Sequence, residues 1–231
     1  MNETNWKTTS ERFVAFFDIM GFKEIVERNT HLAVVKQLDT LKATLGALES
    51  INTNDKFFDT FKISKAETKS ITFSDSIVIF SKGDSIEDAC KILVDTSSLI
   101  LQSLENSIAI KGAISYGKIT VDLDRSLFFG RPIIDAYLLH DQLHLYSVVL
   151  DHYSESKLAD LELPTSFRLL IHDYKTHMKS GKINHKLINA HSKELLKAQI
   201  EHTKNMYKTV SGSPRIYVDN TIEFLNSLVE K

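Results

Sequence analysis

Five consecutive apolar or aromatic residues, Phe13 to Phe17, run straight into a carboxylate at Asp18 (RFVAFFD). The run has strand length and strand composition, and Gly21 with the pattern FKEIVER then starts a helix. A strand therefore feeds a helix across an aspartate. Burying such a carboxylate without a partner is costly, so Asp18 needs a hydrogen-bonding or charged neighbour. The modest explanation is an N-cap between strand and helix.

Asp75 occupies a second informative stretch. Lys69 to Phe80 (KSITFSDSIVIF) is two short β-rich runs around Ser74-Asp75, which predicts a tight hairpin that displays the carboxylate. Ser-Asp is also a common turn former without further role. Between the two aspartates, His31 to about Ile51 places Leu32, Val35, Leu38, Leu41, Leu45 and Leu48 at helical period, and Asn52 to Ala66 reads as a loop or irregular strand. Further on, the pattern predicts a long helix over Asp84–Ser107 and a strand over Ile108–Thr120. A helix opened by Arg131-Pro132 runs to His144, and a strand covers Tyr146–Asp151. The order β-α-α-β-β-α-β-α-β sets helices on one face of a largely antiparallel sheet, an α+β sandwich rather than a doubly wound parallel sheet.

Composition narrows the function classes. With 231 residues, 42% hydrophobic and 25% charged, the chain can build one large domain, with or without a helical appendage. No run approaches the roughly 20 apolar residues of a membrane span, and the N-terminus lacks a signal sequence, so a soluble, cytoplasmic protein without membrane contact is expected. The single Cys90 excludes an internal disulfide and reads as a buried, inert thiol. Residues 175–208 hold eight lysines against Glu194 and Glu201, about +6 in a chain of net charge -2. Beside the stripe of Leu196, Ile200, Tyr207 and Val210 these lysines read as a solvated helix face, and a nucleic-acid partner is not expected without a more basic domain.

Taken together, the motifs resemble a known family. FVAFFDIMGFKEIV is similar to the opening strand and turn of class III nucleotide cyclases, where an aspartate, an Ile and a Gly-Phe pair recur in that order. ITFSDSIVIF is placed like the hairpin bearing their second metal aspartate. IKGAISYGKI followed by FFGRPIIDAYLL resembles their later strand, glycine turn and helix. The resemblance spans residues 12–151, between a tail over 1–11 and a mainly helical extension over 152–231 packed on the core. It implies a ferredoxin-like, mainly antiparallel sandwich. The Gly-x-Pro-x-x-x-Ala-Tyr form of the last helix looks more like the divergent bacterial branch that includes the pyrimidine cyclases of Pycsar antiphage systems.

The resemblance implies formation of a 3′,5′-cyclic mononucleotide from a nucleoside triphosphate, with two Mg²⁺ or Mn²⁺ ions per site. Two metal ions can stabilise the attacking and leaving oxygens, and hard cations prefer oxygen ligands, which suits Asp18, Asp75 and the Ile19 carbonyl. Met20, Gly21 and Phe22 open a helix whose N–H groups can donate to triphosphate oxygens. Sites of this family lie between two subunits, so a homodimer is implied. In purine members a residue four before the second metal aspartate and another just ahead of the glycine turn read the base edge. Here they are Ile71 and Leu127, which offer no hydrogen bond, so UTP or CTP is favoured over purines, with Tyr137 as a residue near a smaller base.

Departures from the family raise an alternative. The ribose-binding Asn and transition-state Arg of purine cyclases fall on Ile134 and Leu138, and Arg131, Asp135 and His140 lie nearby. Lys182 or Lys197 are candidate phosphate contacts in the basic segment. A degenerate cyclase-fold protein that binds a nucleotide, or acts as an interaction module, is therefore the second expectation. His140 and His144 have the i,i+4 spacing of a zinc pair, but the companion glutamate and a third ligand are missing, and no G-x-S-x-G elbow occurs.

Overall fold

A computed structural model describes residues 6–50 and 66–231; the expected loop from Asn52 lies outside them as far as Lys65. Among the described residues eight strands form one sheet: β1 (Thr9–Ile19), β2 (Thr68–Phe73), β3 (Ser76–Ser81), β4 (Ile110–Asp122), β5 (Leu127–Gly130), β6 (Val148–Leu150), β7 (Ile171–Met178) and β8 (Gly181–Ile188). Their order is β2-β3-β1-β4-β6-β8-β7, with β5 paired to β4. Only β4 and β6 run parallel among these pairs. The helices are α1 (Phe22–Arg28), α2 (His31–Ser50), α3 (Ile86–Glu105), α4 (Arg131–Gln142), α5 (His152–Asp160), α6 (Thr165–Arg168), α7 (Lys193–Asn205) and α8 (Arg215–Val229). This is the expected α+β sandwich on a largely antiparallel sheet. No helix among the described residues is long and apolar enough to cross a membrane.

The central position of β1 explains its unbroken apolar run. Phe13, Ala15, Phe17 and Ile19 pack on one face with Leu41 and Leu45 of α2 and Ala89, Ile92 and Leu93 of α3. Val14 and Phe16 pack on the other with Ala136 of α4 and Phe224, Leu225 and Leu228 of α8. Helices thus cover both faces, not the single face expected, because a strand apolar at every position has two sides to bury. Each Phe, Val, Leu or Ile side chain among them contributes roughly 1.5–3 kcal/mol on burial. Gly112 is required where β4 passes between β1 and β6: a Cβ there would sit 2.5 Å from the Phe16 carbonyl oxygen.

Three boundaries differ from the sequence reading. β1 begins at Thr9, inside the stretch read as a tail. Residues 171–188, read as helical, form the β7–β8 hairpin and extend the same sheet. There Thr176 and Met178 are buried while Lys175 and Lys179 are exposed, a period of two that the regularly spaced lysines concealed. Finally, α8 starts at Arg215, six residues before the expected Thr221, with Pro214 at its N-cap. Its buried Val218, Thr221, Leu225 and Leu228 keep one helical stripe.

Candidate functional site

Asp18 lies at the end of β1, directly between Ser76 on β3 and Lys111 on β4. The β2–β3 turn is drawn to the same point. Ser74 takes a left-handed φ of 56°, unusual for a residue with a Cβ, and turns the chain so that the Asp75 carbonyl accepts the Ile19 N–H at 2.8 Å. The two aspartates predicted from sequence are thereby brought together. Their charges feel each other: the Asp18 carboxyl is raised above the ordinary carboxylate range, first by burial, then by Asp75 and Asp141, with Lys111 opposing. Among the described residues the Asp18 carboxylate accepts no hydrogen bond and joins no ion pair.

Lys111 is the residue that sequence reasoning missed. It is buried, and its ammonium donates to the Asp141 and Leu143 carbonyls at 3.3 and 3.4 Å, at the negative end of α4. Burial pulls its pKa down, while Asp141 and Asp18 push it up. Its signal was visible as one lysine inside the small apolar run IAIKGAI. Asp141 is in turn paired with Lys179 of the β7–β8 turn at 2.7 Å, and Lys182 pairs with Glu223 of α8 at 2.7 Å. Elements beyond residue 151 therefore approach this end of the sheet.

The other expected site residues scatter in their suitability. The Met20 N–H already donates to the Ala109 carbonyl at 2.8 Å, so it is not free for a phosphate. Gly21 has φ 72° and precedes α1, which is only seven residues long, with Phe22 half-buried at its start. Ile71 is half-buried and packs on the α4 face, while Leu127 on β5 is exposed. Arg131 is exposed and its Nε donates to both Asp135 oxygens at 2.7 and 2.8 Å, a surface pair of small energetic weight. Tyr137 is half-exposed with its edge against Phe16 at 5.4 Å. Ile134 and Leu138 are 54% and 57% exposed, so neither is a core residue. Lys197 is exposed on α7. His144 lies beyond the end of α4 and His140 is buried, so the i,i+4 spacing does not make a helix-face pair. Among the described residues no group of three or more His, Cys, Asp or Glu could hold a metal ion. Cys90 is buried, its thiol pushed up to about 12 by burial, as an inert thiol should be.

Burial gives the histidines a measurable consequence. The His140 pKa is lowered by burial and then by Lys111, and the His172 pKa is lowered chiefly by burial. The unfolded chain therefore binds more protons as pH falls through about 6.5, and stability present above that pH is lost below it. Thermal melts between pH 8 and pH 5.5 should show Tm falling towards acid, with a shallower slope in His140→Leu. A flat or rising Tm would contradict this environment.

No family model matches the sequence, and no curated protein matches it. Solved structures do. The catalytic core of a rhodopsin-guanylyl cyclase with converted specificity, in complex with ATPαS, aligns with a TM-score of 0.55 at 14% identity, over 80% of this chain and 99% of that one. The monomeric guanylyl cyclase domain of the RhoGC fusion protein from the aquatic fungus Blastocladiella emersonii aligns with a TM-score of 0.51 at 13% identity, over 79% and 96%. The chain carries the fold of class III nucleotide cyclase catalytic domains.

Proposed function

We propose that this chain is a cyclase-fold protein that binds a nucleoside triphosphate through divalent cations held by Asp18 and Asp75, without efficient turnover of its own. The observation that carries this reading is the Asp18 carboxylate, unpartnered among the described residues and raised first by burial and then by Asp75, at the end of a strand where three strands meet. Two carboxylates and the Ile19 carbonyl are hard oxygen donors that suit Mg²⁺ or Mn²⁺. Because the described residues offer no third carboxylate or imidazole, the rest of the ion's shell would be water and phosphate oxygen. Metal and nucleotide should bind together. When bound, the ions would neutralise phosphate charge and orient the triphosphate.

Weak turnover follows from Ile134 and Leu138. Aliphatic chains cannot stabilise developing charge, and removing one such donor costs about 10²–10³ in rate. A second reading, a cyclase using UTP or CTP and signalling in antiphage defence, is favoured by the aliphatic Ile71 and Leu127, which leave a purine edge unpaired at roughly 1–3 kcal/mol per group. Incubation with Mn²⁺ and each of ATP, GTP, CTP and UTP, with products resolved by mass, separates the readings. Mn²⁺-dependent binding with at most traces of product is expected. Multiple-turnover cyclic UMP or CMP selects the second reading, and absence of any nucleotide binding leaves an interaction module.

A homodimer is also proposed. Phe73 is 82% exposed at the β2–β3 turn, and Phe129, Ile134, Tyr137 and Leu138 are exposed on β5 and α4. Large apolar side chains of this number left exposed on the β2–β3 turn, β5 and α4 mark an association surface. Sedimentation at micromolar concentration should give a dimer that Leu138→Lys converts to monomer; a monomeric wild type with nucleotide present would contradict it.

A further inference from the structure

Lys111 faces Asp18 directly across β1 and β4, so the two side chains leave the same face of the sheet about 5 Å apart at Cβ. A lysine there can reach the carboxylate. Among the described residues no ion pair joins them within 4.0 Å. The ammonium instead turns towards the end of α4, with two long hydrogen bonds to the Asp141 and Leu143 carbonyls and the Tyr217 ring 5.7 Å from Nζ to its centroid. Two long neutral bonds alone are a thin substitute for water around a buried ammonium, and the further attractions available at that end of α4 are the Asp141 charge and the Tyr217 aromatic face.

Tyr217 is held there firmly. It lies in the first turn of α8, stacked on Tyr146 at 5.8 Å and tilted against His144 at 5.1 Å. The same helix is pinned by the Asn220 amide donating to the His144 carbonyl at 2.7 Å and by the Tyr146 N–H donating to Thr221 Oγ1 at 2.8 Å. The Tyr217 hydroxyl is raised by burial, with smaller contributions that include Asp141 and Asp18.

We propose that Tyr217 is a positioning residue, whose ring draws the Lys111 ammonium away from Asp18 and so keeps that carboxylate available to a divalent cation. The proposal rests on the metal reading of Asp18 given above. It makes the C-terminal helix part of the site. Without the ring, Lys111 moves to its cross-strand partner and forms a salt bridge that an incoming cation must break.

The test is Mn²⁺ affinity, read from the electron paramagnetic resonance of free Mn²⁺ at pH 7.5, with Asp18→Asn defining the Asp18-dependent site. Tyr217→Leu should weaken that site about tenfold, the lower range for loss of a supporting residue around a metal, while Tyr217→Phe, which keeps the ring, should stay near wild type. In a Lys111→Met background, Tyr217→Leu should have no further effect, because there is no ammonium left to compete. Unchanged affinity in Tyr217→Leu overturns the proposal, and so does equal weakening in the Lys111→Met background, which would mean that α8 merely lost its docking. Absence of an Asp18-dependent Mn²⁺ site in the wild type overturns the metal reading itself, and this proposal with it.

Discussion

Replacing Lys91 by methionine will lower the melting temperature by roughly 10 °C, the largest single-residue effect expected on stability. Lys91 is 2% exposed on α3, and its ammonium donates to both Asp95 oxygens at 2.5 and 2.6 Å and to the Leu48 carbonyl at 2.7 Å. Thr68 Oγ1 at the start of β2 donates to the same carboxylate at 2.7 Å. The pair thus ties α2, α3 and β2 together at one buried point. Methionine fills the volume but strips the Lys91 counter-charge from the buried Asp95 carboxyl, at a cost of about 3–5 kcal/mol, and each kcal/mol moves Tm by about 2–4 °C at this chain length. The double variant Lys91→Met with Asp95→Leu should recover most of the loss, since apolar replacement of a whole buried pair is often close to neutral. A Lys91→Met protein melting within about 2 °C of wild type would contradict the burial of this pair.

The second large effect has opposite signs with and without ligand. Asp18→Asn should raise the Tm of the metal-free protein and abolish Mn²⁺-dependent nucleotide binding. The folded-state pKa of Asp18 is raised, so the folded protein disfavours its ionised form. Stability from this group is present at low pH and lost as pH rises through the folded value, because the unfolded chain releases the proton more readily. Asparagine removes that penalty at neutral pH. The gain over wild type should therefore grow as pH rises out of the ordinary carboxylate range and level off once pH has passed the raised folded-state value. With Mn²⁺ and nucleotide, wild type should instead gain stability and overtake the variant, because only it binds the ligand in the folded state. Destabilisation by Asp18→Asn in both conditions would make Asp18 a structural residue.

What the sequence disclosed follows from how local each signal is. β1 and the β2–β3 hairpin were legible because an apolar run ending in Asp18 and a Ser-Asp turn between β-rich runs are contiguous patterns. That both aspartates reach one point depends on the pairing of β1 with β3, which the family resemblance carried and the register now specifies. Lys111 stayed hidden because nothing in a strand sequence says which residue lies opposite; it became a site neighbour only through the Asp18–Lys111 register. The β7–β8 hairpin was obscured by lysines whose spacing also suits a helix face. For α8 the obstacle was Ser-Gly-Ser-Pro, read as a loop extending through Asn220, although proline is tolerated at a helix start. Tyr217 was displaced from view by that one boundary.

The central claim is that Asp18 and Asp75 together bind metal and nucleotide, and calorimetric titration of a nucleoside triphosphate into the protein tests it most directly. The four triphosphates are each titrated with and without Mn²⁺ into wild type, Asp18→Asn and Asp75→Asn. Binding that requires Mn²⁺ in the wild type, and that is lost in either variant while each still melts cooperatively, is the predicted result. Binding independent of Mn²⁺, or undiminished in either variant, would contradict it.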